Sequence, residues 1–307
     1  MKTFVRVLMC LSLLVTAAAA QDKKAEGVPP LIDRELIFGN PEIAAAQLSP
    51  NGQYIAFVKP WKETLNVWVK TVSEPFSAAR LMTTESKRPI AGYFWTRDSK
   101  SILYVKDNDG DENYNVYAVD PSATPAAGAD APASRDLTGL KGVRIAIYEL
   151  PKSDPDIVYI GMNDRDKAWH DLYKLKISTG EKTLLRKNTD RIVGWTFDVK
   201  GELRLAERNA DNGDTEILRV DAGKLTEIYS CTVFESCYPI HFLPDGSRVY
   251  LQTNKDMDLT SLELMDPATG KTELVESDPL GKVDFGGALF SEKTDELVET
   301  WYFHDRV

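Results

Sequence analysis

The chain has 307 residues, of which 37 are basic and 47 acidic, giving a formal net charge of −10. An acidic surface repels the phosphates of nucleic acids and the head groups of anionic lipids. The composition therefore excludes nucleic acid and an anionic membrane surface as expected partners.

Residues 1–20 predict a secretory signal peptide. Lys2 and Arg6 form a basic start, residues 7–15 an apolar centre, and residues 18–20 a small-residue cleavage site. A hydrophobic core segment is the alternative, but the length and flanks favour a signal. Cleavage after Ala20 predicts export to a periplasm or secretion and leaves 35 basic against 47 acidic residues, a net charge of −12. No second long apolar run follows, so we expect no membrane association after cleavage.

An apolar stretch, a turn and a short hydrophobic strand recur six times, at intervals of 46 to 55 residues. Aligning the second strand of each copy brings six residues into register: Ile55, Ile102, Ile157, Leu203, Val249 and Leu297. A fixed period of this length with strand–turn–strand content is typical of a β-propeller. In the third repeat, apolar and polar side chains alternate between Leu172 and Ile177, as in a half-buried strand. We therefore predict an all-β propeller of four-stranded antiparallel blades.

The predicted propeller covers residues 44–307 and follows an N-terminal extension at 21–43. One interval is longer than the others because it contains a Pro/Ala/Gly tract at 121–134, which predicts a flexible surface insertion rather than a domain linker. The sixth repeat stops at Val307, within its second strand or just beyond. The sequence thus predicts five complete blades, a truncated sixth and an unclosed ring. An open apolar edge indicates that more protein follows naturally.

No segment carries a recognisable catalytic motif. The Gly-x-Ser-x-Gly turn of serine hydrolases is absent from the sequence. His170 precedes Asp171, but adjacent residues on a strand point to opposite faces, which makes them a poor catalytic pair. We interpret His170, His241 and His304 as surface or interface side chains and predict no catalytic residue.

Two cysteines, Cys231 and Cys237, lie close together between the fourth and fifth repeats. In an oxidising compartment such a pair predicts a disulfide that pins a loop. Free buried thiols or half of a metal site are the alternatives, although no further Cys or His pair completes a tetrahedral site. The acidic run at 107–113 fails the calcium-loop pattern, because Glu112 occupies the position of the required glycine. We predict no metal and no cofactor.

The segment formed by Asn163, Asp164, Arg165 and Asp166 is the candidate binding segment, in the hairpin between the second and third strands of the third repeat. Alternating charges in a tight loop usually satisfy one another and the backbone of the turn. The other interpretation is a polar rim that contacts a peptide or a neighbouring domain, because loops on one face of a propeller commonly carry binding.

Three sequence segments are more characteristic of one protein family than the repeat is: LIDRELIFGNPEIAAAQLSPNGQYIAFV from Leu31, VKDNDGDENYNVYAVD from Val105 and MNDRDKAWHDLYKLKISTGE from Met162. They resemble the propeller of the prolyl oligopeptidase family of serine peptidases, in its acylaminoacyl-peptidase and dipeptidyl-aminopeptidase branch. The resemblance extends from about Leu31 to the end of the chain. It implies that the propeller caps a C-terminal α/β-hydrolase domain, which carries the Ser-Asp-His triad and is absent from this sequence.

The resemblance implies a propeller that gates the access of oligopeptides to the triad of an exported peptidase and is inactive alone. Some dipeptidyl peptidases hold the substrate's amino terminus with a pair of propeller glutamates, and no matching Glu-Glu occurs in this sequence. A free-standing periplasmic binding propeller, like the one serving the Tol envelope system, is the alternative. A propeller enzyme with its site in the central channel is a third reading, which the sequence disfavours because it shows no acid–base cluster.

Overall fold

A computed structural model describes residues 31–304. The predicted signal peptide lies outside the described residues. Residues 31–40 belong to a different compact unit from the residues that start at Pro41, and they contain the helix α1, Arg34–Phe38. Asp33 caps this helix, since its side chain accepts a hydrogen bond from the backbone N–H of Glu35. Within residues 31–304, no helix reaches the length and apolar character that a membrane crossing needs.

The second unit is an all-β array of five four-stranded antiparallel sheets and one two-stranded sheet, which confirms the predicted blades. Blades one to three comprise β1 Ala44–Leu48, β2 Tyr54–Trp61, β3 Thr64–Thr71, β4 Arg80–Leu81, β5 Gly92–Trp95, β6 Ile102–Lys106, β7 Asn115–Val119, β8 Arg135–Asp136, β9 Ile145–Glu149, β10 Ile157–Asp166, β11 Trp169–Lys176 and β12 Lys182–Arg186. Blades four to six comprise β13 Ile192–Phe197, β14 Leu203–Asn209, β15 Thr215–Asp221, β16 Lys224–Cys231, β17 Cys237–Phe242, β18 Val249–Thr253, β19 Ser261–Met265, β20 Thr272–Glu276, β21 Phe285–Phe290 and β22 Leu297–Tyr302.

Within each blade, consecutive strands are hydrogen-bonded neighbours, as expected for hairpin-connected meanders. No sheet in the described part of the chain combines strands of the first and last blades, so the ring is not closed by strand pairing. In the described residues, blade six consists of β21 and β22 alone, in agreement with the expected truncated repeat.

The hydrophobic core lies between blades rather than within them. Leu103 and Val116 of blade two pack with Val158 and Ile160 of blade three, and all four side chains are fully buried. Similar clusters fill the spaces between blades one and two, three and four, and four and five. Both faces of a middle blade are covered by its neighbours. Its strands therefore contain runs of apolar residues as well as stretches in which apolar and polar residues alternate.

Neighbouring blades approach closely at Gly270, in the turn between β19 and β20. Its φ of 71° lies in the left-handed region, and a Cβ at this position would overlap the backbone carbonyl of Ile228 in blade four. Only glycine combines that backbone conformation with that approach. The residue therefore fixes how tightly blade five lies against blade four.

Two predicted loop features are located in the propeller. The tract at 121–134 connects β7 to β8, and Arg80 of blade one donates hydrogen bonds to the carbonyl oxygens of Pro121 and Ala123. Its flexibility stays a prediction. Cys231 and Cys237 are joined by a disulfide between blades four and five, and both residues are buried.

Candidate functional site

The innermost strands of blades three to six surround a cavity of about 550 Å³. Its walls come from β9, β13, β17 and β21, and Arg97 reaches it from the turn between β5 and β6. Inner strands of a propeller run along the central channel, so this cavity is a part of that channel. A volume of this size accepts a ligand of a few residues.

Glu207 places a carboxyl group on the channel wall. It lies on β14 opposite Gly194 of β13, and its carboxyl carbon is 3.1 Å from the point where a Cβ on Gly194 would stand. Glycine at this position therefore leaves the space that the carboxyl group occupies. Burial raises the pKa of Glu207 to about 7, although a hydrogen bond with Thr196 opposes the rise. No Lys, Arg or His in residues 31–304 forms an ion pair with Glu207.

Glu149, the last residue of β9, provides a second carboxyl group in the same cavity. Burial raises its pKa, while the positive charges of Arg97 and Lys152 pull the pKa back. Both carboxyl groups are thus partly removed from water. A cationic ligand beside them would stabilise their ionised forms, because opposite charges attract.

The turn between β21 and β22 is tied to two distant blades. Arg97 Nη1 of blade two lies 2.6 Å from the Glu292 carboxylate, and its Nε donates to the carbonyl oxygen of Leu150 at 3.1 Å. Lys152 Nζ of blade three lies 2.6 Å from Asp295 Oδ1 and 2.8 Å from the Glu292 carbonyl oxygen. Basic groups from blades two and three therefore face an acidic turn from blade six beside the cavity.

His241 of β17 also reaches this turn. Its ring stacks on Phe290 with the centroids 4.4 Å apart, and its Nε2 is 3.4 Å from Asp295 Oδ1, without the alignment of a hydrogen bond. Burial lowers the pKa of His241, and the negative charge of Asp295 opposes that shift. The sequence indicated a surface or interface role for His241, and it gave no sign of Asp295, which comes from another blade.

The cavity contains carboxylic acids, basic side chains and a histidine. The hydroxyl of Ser291 accepts hydrogen bonds from the backbone N–H groups of Lys293 and Thr294 and serves the turn. No Ser, Thr or Cys side chain in residues 31–304 is hydrogen-bonded to His241. Covalent catalysis needs a nucleophile within hydrogen-bonding reach of its base, and among the described residues His241 has no such partner.

The candidate segment from Asn163 to Asp166 ends β10 and is largely engaged inside blade three. Arg165 forms a two-pronged ion pair with Asp171, at 2.6 and 2.7 Å, and also donates to the carbonyl oxygen of Asn188. Asp164 accepts a hydrogen bond from the Tyr173 hydroxyl, and Asp166 accepts one from the backbone N–H of Ala168. The side chain of Asn163 accepts a hydrogen bond from the backbone N–H of Arg144. These contacts support the first interpretation of the segment, in which its charges satisfy the hairpin itself.

The sequence alone did not reveal the channel cluster, which we define as Glu149, Glu207, His241 and Asp295. Glu149 and Glu207 lie on different blades, and Asp295 meets His241 only through the arrangement of blades five and six. The sequence showed no acid–base cluster, and these side chains line one cavity only in the folded chain. One local signal existed: Gly194 stands next to Trp195 in the inner strand β13, and a strand glycine often marks a close approach.

Dipeptidyl aminopeptidase BIII of Pseudoxanthomonas mexicana is 33% identical over 301 residues, which cover 96% of this chain and 42% of the relative. Dipeptidyl peptidase family member 6 of Caenorhabditis elegans is 32% identical over 194 residues, 60% of this chain and 24% of that protein. The chain thus spans less than half the length of these relatives. No family model matches the sequence.

Solved peptidase structures share the fold. Oligopeptidase B from Trypanosoma brucei, with covalently bound antipain, superposes with a TM-score of 0.53 over 76% of this chain and 34% of that chain, at 15% identity. A structure from a study of two prolyl endopeptidases gives a TM-score of 0.54 over 76% of this chain and 35% of that one, at 13% identity. At such identities these likenesses show the propeller fold alone.

Proposed function

Because the chain belongs to the prolyl oligopeptidase family as its N-terminal propeller, we propose that it gates substrate access in an exported serine oligopeptidase. The proposal includes a C-terminal α/β-hydrolase domain as the partner that cleaves the peptide bond. The observation that carries it is the likeness to a dipeptidyl aminopeptidase over 96% of this chain.

The channel geometry supports a role in selecting short peptides. A folded domain of 100 residues has a radius of gyration of about 13 Å, far larger than a cavity of about 550 Å³ admits. Glu149 and Glu207 add a preference for positive charge, since burial destabilises their ionised forms until a cation approaches. Such selection decides which substrates reach the chemistry and leaves the chemical step to the partner domain.

Export is part of the proposal. Residues 1–20 have the composition of a signal peptide, and the buried Cys231–Cys237 disulfide suits an oxidising compartment. Expression with the native N-terminus, followed by fractionation and mass spectrometry of the mature protein, tests this point. We expect a chain that starts at Gln21 outside the cytoplasm; a cytoplasmic chain that keeps Met1 contradicts export.

The gating proposal is tested on the mature chain, residues 21–307. We expect no hydrolysis of dipeptidyl or aminoacyl p-nitroanilides, because the proposal assigns bond cleavage to the partner α/β-hydrolase domain. We also expect labelled tetrapeptides to bind, as measured by fluorescence anisotropy, and unlabelled short peptides, but not a folded protein, to compete. Hydrolysis that a serine-directed inhibitor abolishes contradicts the first expectation. Binding of a folded envelope protein without binding of peptides favours the free-standing binding propeller instead.

A pair of variants locates the binding. Val193 lines the cavity and is 47% exposed, so Val193→Trp fills the channel without disturbing the core. Val298 on β22 is 62% exposed and lies away from the cavity, which makes Val298→Trp the matched control. We expect tetrapeptide binding to weaken at least about tenfold in the first variant and to persist in the second. Equal binding by both variants contradicts a channel site.

A further inference from the structure

A second recess, of about 400 Å³, lies between the inner strands of blades two and three. Its walls are mainly apolar and include Phe94 of β5, Val105 of β6 and Ile147 of β9. Ile147 also lines the channel cavity, so the two spaces share one wall residue. Gly92 stands at the opening, where a Cβ would meet no atom within 4 Å. The recess is therefore open and large enough for one apolar side chain with its neighbouring backbone.

Arg144 stands beside these apolar walls with an unused guanidinium. Its guanidinium carbon is 5.8 Å from the centroid of the Tyr114 ring, and the residue is exposed. Among residues 41–304, every other arginine uses its guanidinium in a hydrogen bond or an ion pair, whereas that of Arg144 makes neither. A planar fork of donors held next to an apolar recess is suited to a carboxylate.

The backbone at Arg144 is fixed by a buried amide side chain. Asn163 Oδ1 accepts a hydrogen bond from the Arg144 N–H at 2.7 Å, and the Asn163 N–H donates to the Arg144 carbonyl oxygen at 3.4 Å. Asn163 is 7% exposed, and its Nδ2 donates to the carbonyl oxygen of Lys167. Asn163, from the candidate segment, is thus a positioning residue, which fixes the backbone of Arg144 just before β9.

We propose that this recess holds the C-terminal residue of a short peptide, with an apolar side chain between blades two and three and the carboxylate on Arg144. The single positive charge matches the single negative charge of a peptide carboxylate. The apolar wall excludes strongly hydrated anions, which lose hydration without gaining partners there. The inference rests on the proposed function only in taking the ligand to be a peptide.

Isothermal titration of the mature chain tests the assignment with three probes: acetyl-Ala-Ala-Leu as the free acid, the same tripeptide as the amide, and acetyl-leucine. We expect the free acid to bind at least about tenfold more tightly than the amide, because the amide loses the charge-assisted hydrogen bonds. Arg144→Gln is expected to reduce the affinity for the acid to that for the amide. The exposed Lys224→Gln, on a distant hairpin of blade four, is the matched control and keeps the preference.

Filling the recess provides a second variant. Gly92→Leu projects a side chain into open space, so we expect an intact fold and loss of binding of acid and amide alike. Equal affinity for the free acid and the amide in the unmodified chain overturns the inference, and so does a preference for the acid that survives Arg144→Gln. Neither result contradicts the proposal that the propeller gates the access of peptides. Binding of acetyl-leucine that depends on Arg144, with no binding of either tripeptide, supports the recess and contradicts the peptide-gating function.

Discussion

Glu207 gives the propeller a specific dependence of stability on pH. Burial raises the pKa of its carboxyl group from 4.5 to about 7. The folded chain then binds more protons than the unfolded chain between these two values, so the stabilisation is present at low pH and lost as pH rises through about 7. One unit of pKa corresponds to about 1.4 kcal/mol. The rise at Glu207 therefore predicts a loss of about 2 to 3 kcal/mol between pH 5 and pH 8.

Substitution isolates this contribution. Glu207→Gln keeps the shape of the side chain and removes its titration, so the variant should lack that part of the pH dependence. Urea denaturation at pH 5 and pH 8 gives the free energy of unfolding of each protein. We expect the stability of the variant relative to the unmodified chain to increase by about 2 to 3 kcal/mol from pH 5 to pH 8.

A matched control separates burial from charge. Glu202 lies on the turn before β14 and is exposed, so Glu202→Gln removes the same formal charge from the same blade. We expect Glu202→Gln to follow the unmodified chain at both pH values. If Glu207→Gln also followed it at both pH values, the claim that the carboxyl group is desolvated on the channel wall would be refuted.

Two further predictions concern the blade interfaces. Replacing Cys231 and Cys237 together by serine removes a cross-link between residues six apart and should cost about 2 kcal/mol in the free energy of unfolding; a reducing agent should lower the melting temperature of the unmodified chain and leave that of the double variant unchanged. Gly270→Ala should cost more than about 1 kcal/mol, because alanine resists the left-handed backbone and its Cβ overlaps the Ile228 carbonyl. Gly52→Ala, with a similar φ and open space around it, is the control, and equal losses at both glycines would show that the interface approach contributes nothing.

The sequence predicted the scaffold better than the site, for a physical reason. Each blade is a local meander, so its strands and turns follow from residues close in sequence, and the register of the repeats from Ile55 to Leu297 reveals the period. The channel cluster depends instead on which inner strands face one another around the axis. Glu149, Glu207 and His241 come from three blades, and none is distinctive in its own segment.

Even within one blade, the sequence revealed only part of what each side chain does. The polar run that ends β10 was expected to satisfy its own hairpin or to form a rim, and most of its side chains do bond within blade three. The contact of Asn163 with the Arg144 backbone joins two strands through a side chain, and periodicity carries no information on such a bond. Nor does composition distinguish Arg144 from the bonded arginines, since the partners of a guanidinium depend on the folded arrangement of the blades.

The turn of blade six has a consequence for cooperativity. In a linear array of repeats, each unit contacts only its neighbours, so units can unravel one at a time from an end. Here Arg97 meets Glu292 across 195 residues of sequence, and Lys152 meets Asp295 across 143. These cross-braces couple the last hairpin to blades near the start of the array, so its detachment also removes contacts from blades two and three. Such distant closures slow folding and make unravelling more nearly all-or-none.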